Sequence, residues 1–283
     1  MRTHYVSFAD NSVAIKYDEK THQSLLDYLF GDLESTETTR PLSRMRILPA
    51  DEAHKTRLEQ DGSKLYSGDC RTTLARTLVE KTLYALVDKD DSGLAFHAAA
   101  VCSGNTGVMI PGHSGAGKST LAVWLATRGF NYLTDELVHI PLGTSRIEAF
   151  TRPINLKQNG CRMLEEEFDI RDAEDRILTN KRLSIVPHRL LNPRHQKLTP
   201  EISFILFPRL ISEGEHRLEP LSKAQAGLKL VECLVNGRNI PNHGFDQVSR
   251  IVRDVPAYVL HYTGFRTLPG LLREILPQVS SQA

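Results

Sequence analysis

The sequence has little of what marks a secreted, zinc-binding or membrane-spanning protein. Its 283 residues include only four cysteines, which are far apart and form no CxxC pair. This spacing argues against a zinc site and favours free thiols in a reducing compartment. No run of about 18 apolar residues occurs, so no membrane-spanning helix is expected. The first residues also lack an apolar stretch of signal-peptide length, and we therefore expect a soluble, cytoplasmic protein.

An excess of charge of one sign is also missing. The chain has 35 basic and 34 acidic residues, which leaves a formal net charge of +1. Such a balance gives no electrostatic reason to expect binding to nucleic acid or to a membrane surface. We find no internal repeat and no low-complexity tract. The length and the 40% hydrophobic content suit an α/β core in one large or two smaller domains.

One stretch stands out against this background. Residues 112–120 match the pattern G-x-x-x-x-G-K-[ST], whose backbone N–H groups cradle phosphates, whose lysine reaches the β- and γ-phosphates and whose serine hydroxyl can bind Mg²⁺. The alternative is a glycine-rich turn that binds nothing. The candidate nucleotide-binding residues are Gly112, His113, Ser114, Gly115, Ala116, Gly117, Lys118, Ser119 and Thr120.

The flanks of this loop agree with a phosphate-binding role. Residues 106–111 are short and apolar, which predicts a buried strand. Residues 119–128 contain no glycine or proline before Gly129, which predicts a helix that ends at this glycine. The helix N-terminus would then point at the phosphates, where its dipole favours negative charge.

Five further residues are candidates for chemistry. His97 lies in a predicted strand, 94–102, that forms a hairpin with the strand before the loop, although a lone strand histidine is more often structural. Asp135 and Glu136 lie within a predicted strand, 131–140, where they could bind Mg²⁺ or accept a hydroxyl proton, unless they form a solvated turn. Arg152, and Lys157 after it, could reach phosphate oxygens or lie in a surface loop.

The remaining patterns predict a small N-terminal region and the rest of the core. Before residue 90 we expect strands at 4–8, 12–17, 45–48, 56–59 and 63–66, and helices at 21–30 and 71–87. After the candidate site we expect a charged, irregular segment at 160–197, strands at 202–208 and 255–261, and helices at 221–234 and 268–276. The strand at 202–208 carries no acidic residue, so it is not a usual Walker B strand. These patterns divide the chain into an α+β region, 1–90, and a core, 91–283.

The combination of these segments resembles the HPr kinase/phosphorylase superfamily, and more closely its shorter HPr-kinase-related branch. The segments that carry the resemblance are 96–101, 112–120, 128–129 and 133–138. In that superfamily a histidine precedes the first glycine of the loop by fifteen residues, as His97 precedes Gly112, and an acidic pair follows the helix. The resemblance is specific over residues 93–160 and faint before residue 90.

The resemblance implies an α/β (α+β) fold like that of phosphoenolpyruvate carboxykinase, with a P-loop kinase core and a small N-terminal region that could bind the acceptor. It implies ATP and Mg²⁺ as cofactors and a homo-oligomer. Lys118 would hold the β- and γ-phosphates, and Ser119 and Glu136 would hold the metal. Asp135 would take the proton from an acceptor serine, as expected of a base in phosphoryl transfer. His97 would lie near the transferred phosphate, and Arg152 would stabilise its charge.

Three departures from the family pattern narrow the expected activity. In the full enzymes the residue after the loop serine is usually acidic, but here it is Thr120. The second residue of the acidic pair is usually aspartate, but here it is Glu136. The Arg-Gly-Leu-Gly-Ile signature of the bifunctional enzymes is missing. We therefore expect a kinase that acts on a serine of a peptide or small protein other than HPr, as in lasso-peptide clusters. The alternatives are a small-molecule kinase with the same site and a non-catalytic nucleotide-binding protein.

Overall fold

A computed structural model describes residues 1–49, 55–164, 176–266 and 268–276. Over these residues the protein is mixed α/β, with three sheets. No helix in this part of the chain is long and apolar enough to cross a membrane. The helices are α1 (Lys20–Phe30), α2 (Arg71–Val87), α3 (Lys118–Thr127), α4 (Gln158–Leu164), α5 (His188–Leu191), α6 (Lys223–Cys233), α7 (Phe245–Asp254) and α8 (Leu268–Leu272).

The N-terminal region forms a five-stranded sheet in the order of the chain. Its strands are β1 (Arg2–Phe8), β2 (Asn11–Tyr17), β3 (Ser43–Leu48), β4 (Thr56–Gln60) and β5 (Ser63–Gly68). Only β2 and β3 pair in parallel, because α1 connects them. The β4–β5 turn uses Asp61 and Gly62, both with positive φ, as two-residue hairpin turns require. The two predicted helices and five predicted strands of this region are all confirmed, with ends that shift by up to two residues.

The second sheet has eight strands and carries the loop. They are β6 (Gly93–Ser103), β7 (Thr106–Pro111), β8 (Asn131–Thr134), β9 (Leu137–Pro141), β10 (Glu148–Ala149), β14 (Glu201–Leu210), β15 (Arg217–Pro220) and β16 (Ala257–Tyr262). Their order is β10-β9-β6-β7-β14-β16-β15, and β8 also pairs with β6. The strand β7, which enters the loop, is antiparallel to β6 and parallel to β14. The predicted hairpin of the histidine strand with the loop strand is therefore confirmed.

Helices cover both faces of this sheet, which explains why β6 is apolar along its length. Successive strand residues point to opposite faces. Ala99 and Val101 join a cluster with α3, in which Trp124 stacks on Phe265 at 5.3 Å between ring centroids. Ala98 and Ala100 join the opposite cluster with α6 and α7. Because β6 and β7 are held rigidly between these two layers, the loop that leaves β7 has a fixed origin.

The N-terminal region and the core share a third apolar cluster. It combines residues of β1, β2, α1 and α2 with Ala95 of β6, Leu137 of β9, Phe150 and Ile185. Burial of large side chains of this kind contributes about 1.5–3 kcal/mol each. The boundary near residue 90 stays a prediction, and the two regions pack against each other over a contiguous apolar surface.

A third, small sheet follows the candidate site in the chain. It contains β11 (Ile154–Lys157), β12 (Leu178–Thr179) and β13 (Leu183–Val186), in the order β11-β13-β12. This sheet, together with α4 and α5, occupies much of the segment 160–197, which was expected to be irregular. The expected solvated helix and loop lie partly at 165–175, outside the described residues.

Three further predictions need correction. The expected strand 131–140 is two strands, β8 and β9, which are separated at Asp135 and Glu136. The helix α7 was not predicted at all. The last helix ends at Leu272, four residues before the expected end, since only α8 is helical there. Of the four cysteines, Cys102 and Cys233 are buried free thiols, as expected.

Candidate functional site

The loop between β7 and α3 has the backbone that phosphate binding requires. Gly115 and Gly117 have φ values of +92° and +99°, a region that residues with a Cβ rarely adopt. Gly117 is the N-cap of α3, so the free N–H groups of the first helical turn face the loop. The predicted glycine cap at the other end of α3 is confirmed by Gly129, whose φ is +95°.

Lys118 starts the helix, and its side chain folds back over the loop. Its ammonium donates to the carbonyl of His113 at 3.1 Å and to Nε2 of His97 at 3.0 Å. Only 5% of Lys118 is exposed. Burial lowers the pKa of this ammonium, while the nearby carboxylates of Glu136 and Asp135 oppose that effect. The lysine is thus held at the site by partners that a phosphate could replace.

The interruption between β8 and β9 presents the two carboxylates. The Oγ1 atom of Thr134 accepts the N–H groups of Glu136 and Leu137 at 3.2 and 3.4 Å and donates to the carbonyl of Phe150 at 2.9 Å. Ala98 of β6 donates its N–H to the carbonyl of Glu136, so the interruption remains tied to the histidine strand. An irregularity of this kind redirects side chains at a sheet edge.

Asp135 is almost completely buried and has three partners. Its Oδ1 accepts from the Tyr132 hydroxyl at 3.1 Å and faces the Arg152 guanidinium at 3.1 Å. Its Oδ2 accepts the backbone N–H of Asn155 at 3.2 Å. Burial raises the pKa of Asp135, against the opposing effect of Arg152. A carboxylate with a raised pKa is a stronger base than an exposed one.

Arg152 lies in a different place from the one expected of a phosphate contact. It is 1% exposed, and its guanidinium bridges Asp135 and Glu136, at 3.1 and 2.8 Å, and donates to the carbonyl of Pro153 at 2.9 Å. Arg152 therefore neither lies in a surface loop nor has a side chain that is open to a ligand. Arg152 pairs with these two carboxylates because burying a charge is costly unless the charge has a partner of opposite sign.

His97 connects the lysine to the carboxylates. Because the Lys118 ammonium has only donors, Nε2 of His97 accepts and the ring proton is on Nδ1. This Nδ1 is 3.2 Å from both Oε1 and the backbone carbonyl of Glu136. Burial alone would raise the pKa of Glu136, but its bonds to His97 and Arg152 lower it to about 2. A continuous polar chain therefore runs from Lys118 through His97, Glu136 and Arg152 to Asp135.

These groups surround one cavity of about 620 Å³. Small-ligand sites typically have volumes of about 300–1,000 Å³. Of the loop, Ser114, Gly115 and residues 117–120 line the cavity, whereas Gly112, His113 and Ala116 shape the loop without lining it. Arg152 is not among the described residues of the lining. The other candidate residues that line it are His97, Asp135, Glu136 and Lys157.

The site also contains residues that sequence reasoning did not single out. The Tyr262 hydroxyl of β16 lies 3.4 Å from the carbonyl of Gly117, and Tyr132 contacts Asp135. Arg76 and Glu80 of α2, an ion pair at 3.5 Å, line the cavity from the N-terminal region. No spacing in the sequence links any of these to the loop. Lys157 was expected near phosphate, and it contacts the loop through the Ser114 hydroxyl at 3.0 Å.

The donor set at this site suits a hard cation. Mg²⁺ prefers oxygen ligands and is held in nucleotide sites by one or two carboxylates or hydroxyls together with phosphates. The Ser119 hydroxyl and the carboxylates of Asp135 and Glu136 line the same cavity, and among the described lining residues the one sulfur atom is the thioether of Met163. The residues present therefore fit Mg²⁺.

Comparison with known proteins adds little to this picture. No family model matches the chain, and no curated protein matches it in sequence. Among solved structures it is similar to the Hpr(Ser) kinase/phosphatase from Coxiella burnetii, with a TM-score of 0.31 and 13% identity over 65% of this chain and 93% of that one. These values are too low to assign a family or an activity, so the assignment rests on the site itself.

Proposed function

We propose that this protein is an ATP-dependent kinase of the HPr-kinase type, which transfers the γ-phosphate to a serine hydroxyl of a peptide or small protein. The observation that carries the proposal is that Lys118 of the glycine-rich loop and Asp135 line a single cavity. A phosphate held by the lysine and a hydroxyl facing the carboxylate would meet inside that cavity.

The nucleotide would bind along the loop and the start of α3. Backbone N–H groups of residues 113–119 and the helix dipole would receive the phosphates. The Lys118 ammonium would exchange the carbonyl of His113 for a phosphate oxygen. Ser119 and Glu136 would hold Mg²⁺, which when bound would supply positive charge against the phosphates. This assignment accounts for a lysine that is buried yet bonded only to replaceable partners.

Asp135 is the proposed base. Its Oδ2 has one protein donor, the N–H of Asn155, and a carboxylate oxygen can accept two hydrogen bonds. The acceptor hydroxyl would occupy the second position and transfer its proton there. On Oδ1, Tyr132 and Arg152 fix the orientation of the carboxylate. Arg152 is thus a positioning residue for both carboxylates in this proposal, and direct phosphate contact is not required of it.

His97 would lie near the transferred phosphate, and each of its two ring nitrogens has a contact in the site. It accepts from Lys118 and faces Glu136 with its other nitrogen. Through its bond to Nε2, His97 would keep the ammonium of Lys118 beside the γ-phosphoryl group. The acceptor would approach from the side of α2, since Arg76 and Glu80 line that wall and offer charges of both signs to a peptide. This supports acceptor binding by the N-terminal region.

The proposal is tested with γ-labelled ATP, Mg²⁺ and degenerate serine peptides. The Asp135→Asn variant keeps the shape of the side chain but removes the base, and loss of a general base costs roughly 10²–10⁴-fold in rate. We expect kcat to fall by that factor while ATP binding persists. The control is Asp90→Asn, which changes a buried aspartate outside the cavity lining and should retain transfer.

Other outcomes separate the alternatives. Undiminished transfer by Asp135→Asn would remove this residue as the base. Transfer to metabolites but not to peptides would identify a small-molecule kinase. Tight ATP binding without transfer or hydrolysis, in the wild type and against every acceptor class, would identify a non-catalytic nucleotide-binding protein.

A further inference from the structure

Outside the proposed kinase site, one carboxylate and two imidazoles converge where the N-terminal region meets the core. Asp32 follows α1, His188 begins α5, and His195 lies in the segment before β14. One ligand atom from each of the three lies within 4.8 Å of the other two. The residues are about 160 positions apart in sequence, so only the fold brings them together.

Three of the four ring nitrogens of this cluster are buried without a well-aligned hydrogen bond. His188 is 3% exposed. Among the described residues, neither of its ring nitrogens makes a well-aligned hydrogen bond, and the same holds for Nδ1 of His195, although backbone groups of Arg152 and Tyr132 lie close to the two rings. A buried polar group without a partner costs about 1–3 kcal/mol, so three such atoms in one place call for a ligand.

The geometry of the closest pair indicates what that ligand is. Nε2 of His188 is 3.2 Å from Oδ2 of Asp32, yet the two atoms make no hydrogen bond because the N–H direction misses the carboxylate. Two ligands of a tetrahedral metal at about 2.0–2.1 Å are separated by about 3.3 Å, and both point at the ion instead of at each other. The observed pair has this separation and this misalignment.

The surroundings are suited to holding the ligands in place. Arg189 binds Oδ1 of Asp32, which turns Oδ2 toward His188. The His188 ring lies 5.5 Å from the ring of Tyr132 and 4.6 Å from that of His195, measured between centroids.

We infer that Asp32, His188 and His195 form a binding site for a divalent transition metal of the zinc class. Two imidazoles and one carboxylate suit Zn²⁺, and nitrogen ligands discriminate against Mg²⁺ and Ca²⁺. His195 also lines a second cavity, of about 490 Å³, which gives the ion a path and supplies water for the fourth position. The bound ion would link Asp32 of the N-terminal region to His188 and His195 of the core, next to the Tyr132 ring.

The test uses the untagged full chain after removal of metal with EDTA. Co²⁺ serves as the spectroscopic probe, because four-coordinate Co²⁺ absorbs far more strongly in the visible range than the hexaaqua ion. We expect one Co²⁺ per chain with a four-coordinate spectrum, displacement by equimolar Zn²⁺, and no displacement by millimolar Mg²⁺. Elemental analysis after Zn²⁺ loading gives the stoichiometry independently.

Variants decide whether the cluster is the site. His195→Gln and Asp32→Asn should each weaken binding by more than the roughly 10–100-fold that loss of an outer-shell partner costs. The exposed His243, changed to asparagine, is the control histidine and should leave affinity unchanged. Ser119→Ala, which changes the proposed Mg²⁺ site, is a second control and should also leave the Co²⁺ affinity unchanged. His195 is only partly buried, so its variant should fold even where a His188 variant does not.

Two results would overturn the inference. One is a wild-type chain that binds no Zn²⁺ or Co²⁺ at micromolar concentrations. The other is a folded His195→Gln variant, verified by circular dichroism, that binds with wild-type affinity and the same spectrum, since the ion would then lie elsewhere.

Discussion

Substitution of Gly117 by alanine tests how the loop is held. Gly117 combines a φ of +99° with close contact, because an added Cβ would lie less than 3.0 Å from the Tyr262 hydroxyl oxygen. Gly115 has nearly the same φ, +92°, but a Cβ there would meet nothing within 4 Å. The pair therefore separates backbone strain from steric overlap. Both alanine variants carry the strain, and only Gly117→Ala carries the overlap.

The expected magnitudes follow from these contacts. A left-handed conformation costs a residue with a Cβ roughly 1–2 kcal/mol, which applies to both variants. Forcing an extra carbon into a packed site costs about 1–3 kcal/mol more, which applies to Gly117→Ala alone. In Tyr262→Phe the overlapping oxygen is gone, and the next ring atom, Cζ, is at an ordinary 3.4 Å. The double variant should recover most of the overlap cost.

Urea unfolding of the wild type and the four variants measures these differences. We expect Gly117→Ala to lose about 1–3 kcal/mol more unfolding free energy than Gly115→Ala, and Gly117→Ala to cost less in the Tyr262→Phe background. Equal destabilisation by the two glycine substitutions, or the same cost of Gly117→Ala with and without the hydroxyl, would refute the claim that Tyr262 packs directly against the loop.

Two further predictions concern buried charges. Arg152→Met leaves Asp135 and Glu136 without their cation and should lower the unfolding free energy by about 3–5 kcal/mol, with Arg152→Lys intermediate; a loss near zero in urea unfolding would contradict the buried pairing. Burial lowers the pKa of His139, but its contacts with Asp90 at 3.2 Å and with Glu148 at 3.1 Å outweigh this and raise the pKa above 6.5. The stabilisation should therefore be complete below pH 6.5 and be lost as the pH rises through the folded value. Asp90→Asn should weaken that pH dependence while Glu148 still contacts Nδ1, and an unchanged profile would rule out the contact with Asp90 as a source.

The parts of the fold that could be predicted from sequence carry local signals. The strand 106–111 and the helix 71–87 were predicted with the bounds that the structure has, because an apolar run and a helical spacing end at clear turn residues. Gly129 marked the end of α3 for the same reason. The helix α7 was not predicted, although the i, i+3, i+4 spacing of its buried residues Val248, Ile251 and Val252 is the pattern of an amphipathic helix.

The candidate site was predictable in its members and less so in its arrangement. Residues 131–140 contain no glycine or proline, so nothing in the sequence announced the interruption at Asp135, which depends on hydrogen bonds to the Thr134 side chain. Whether Arg152 contacts a phosphate or a carboxylate depends on which group lies nearer in the folded chain, and the sequence does not give that distance. Contacts such as Tyr262 with Gly117 join residues 145 positions apart, beyond any local pattern.

A crystal structure with Mg²⁺ and a non-hydrolysable ATP analogue tests the central claim most directly. The proposed function predicts that the β- and γ-phosphates lie along residues 112–119 with Lys118 on their oxygens, and that the γ-phosphorus faces Oδ2 of Asp135 across the cavity. A nucleotide bound elsewhere, or a γ-phosphate that points away from Asp135 with the carboxylate still enclosed by protein, would contradict it.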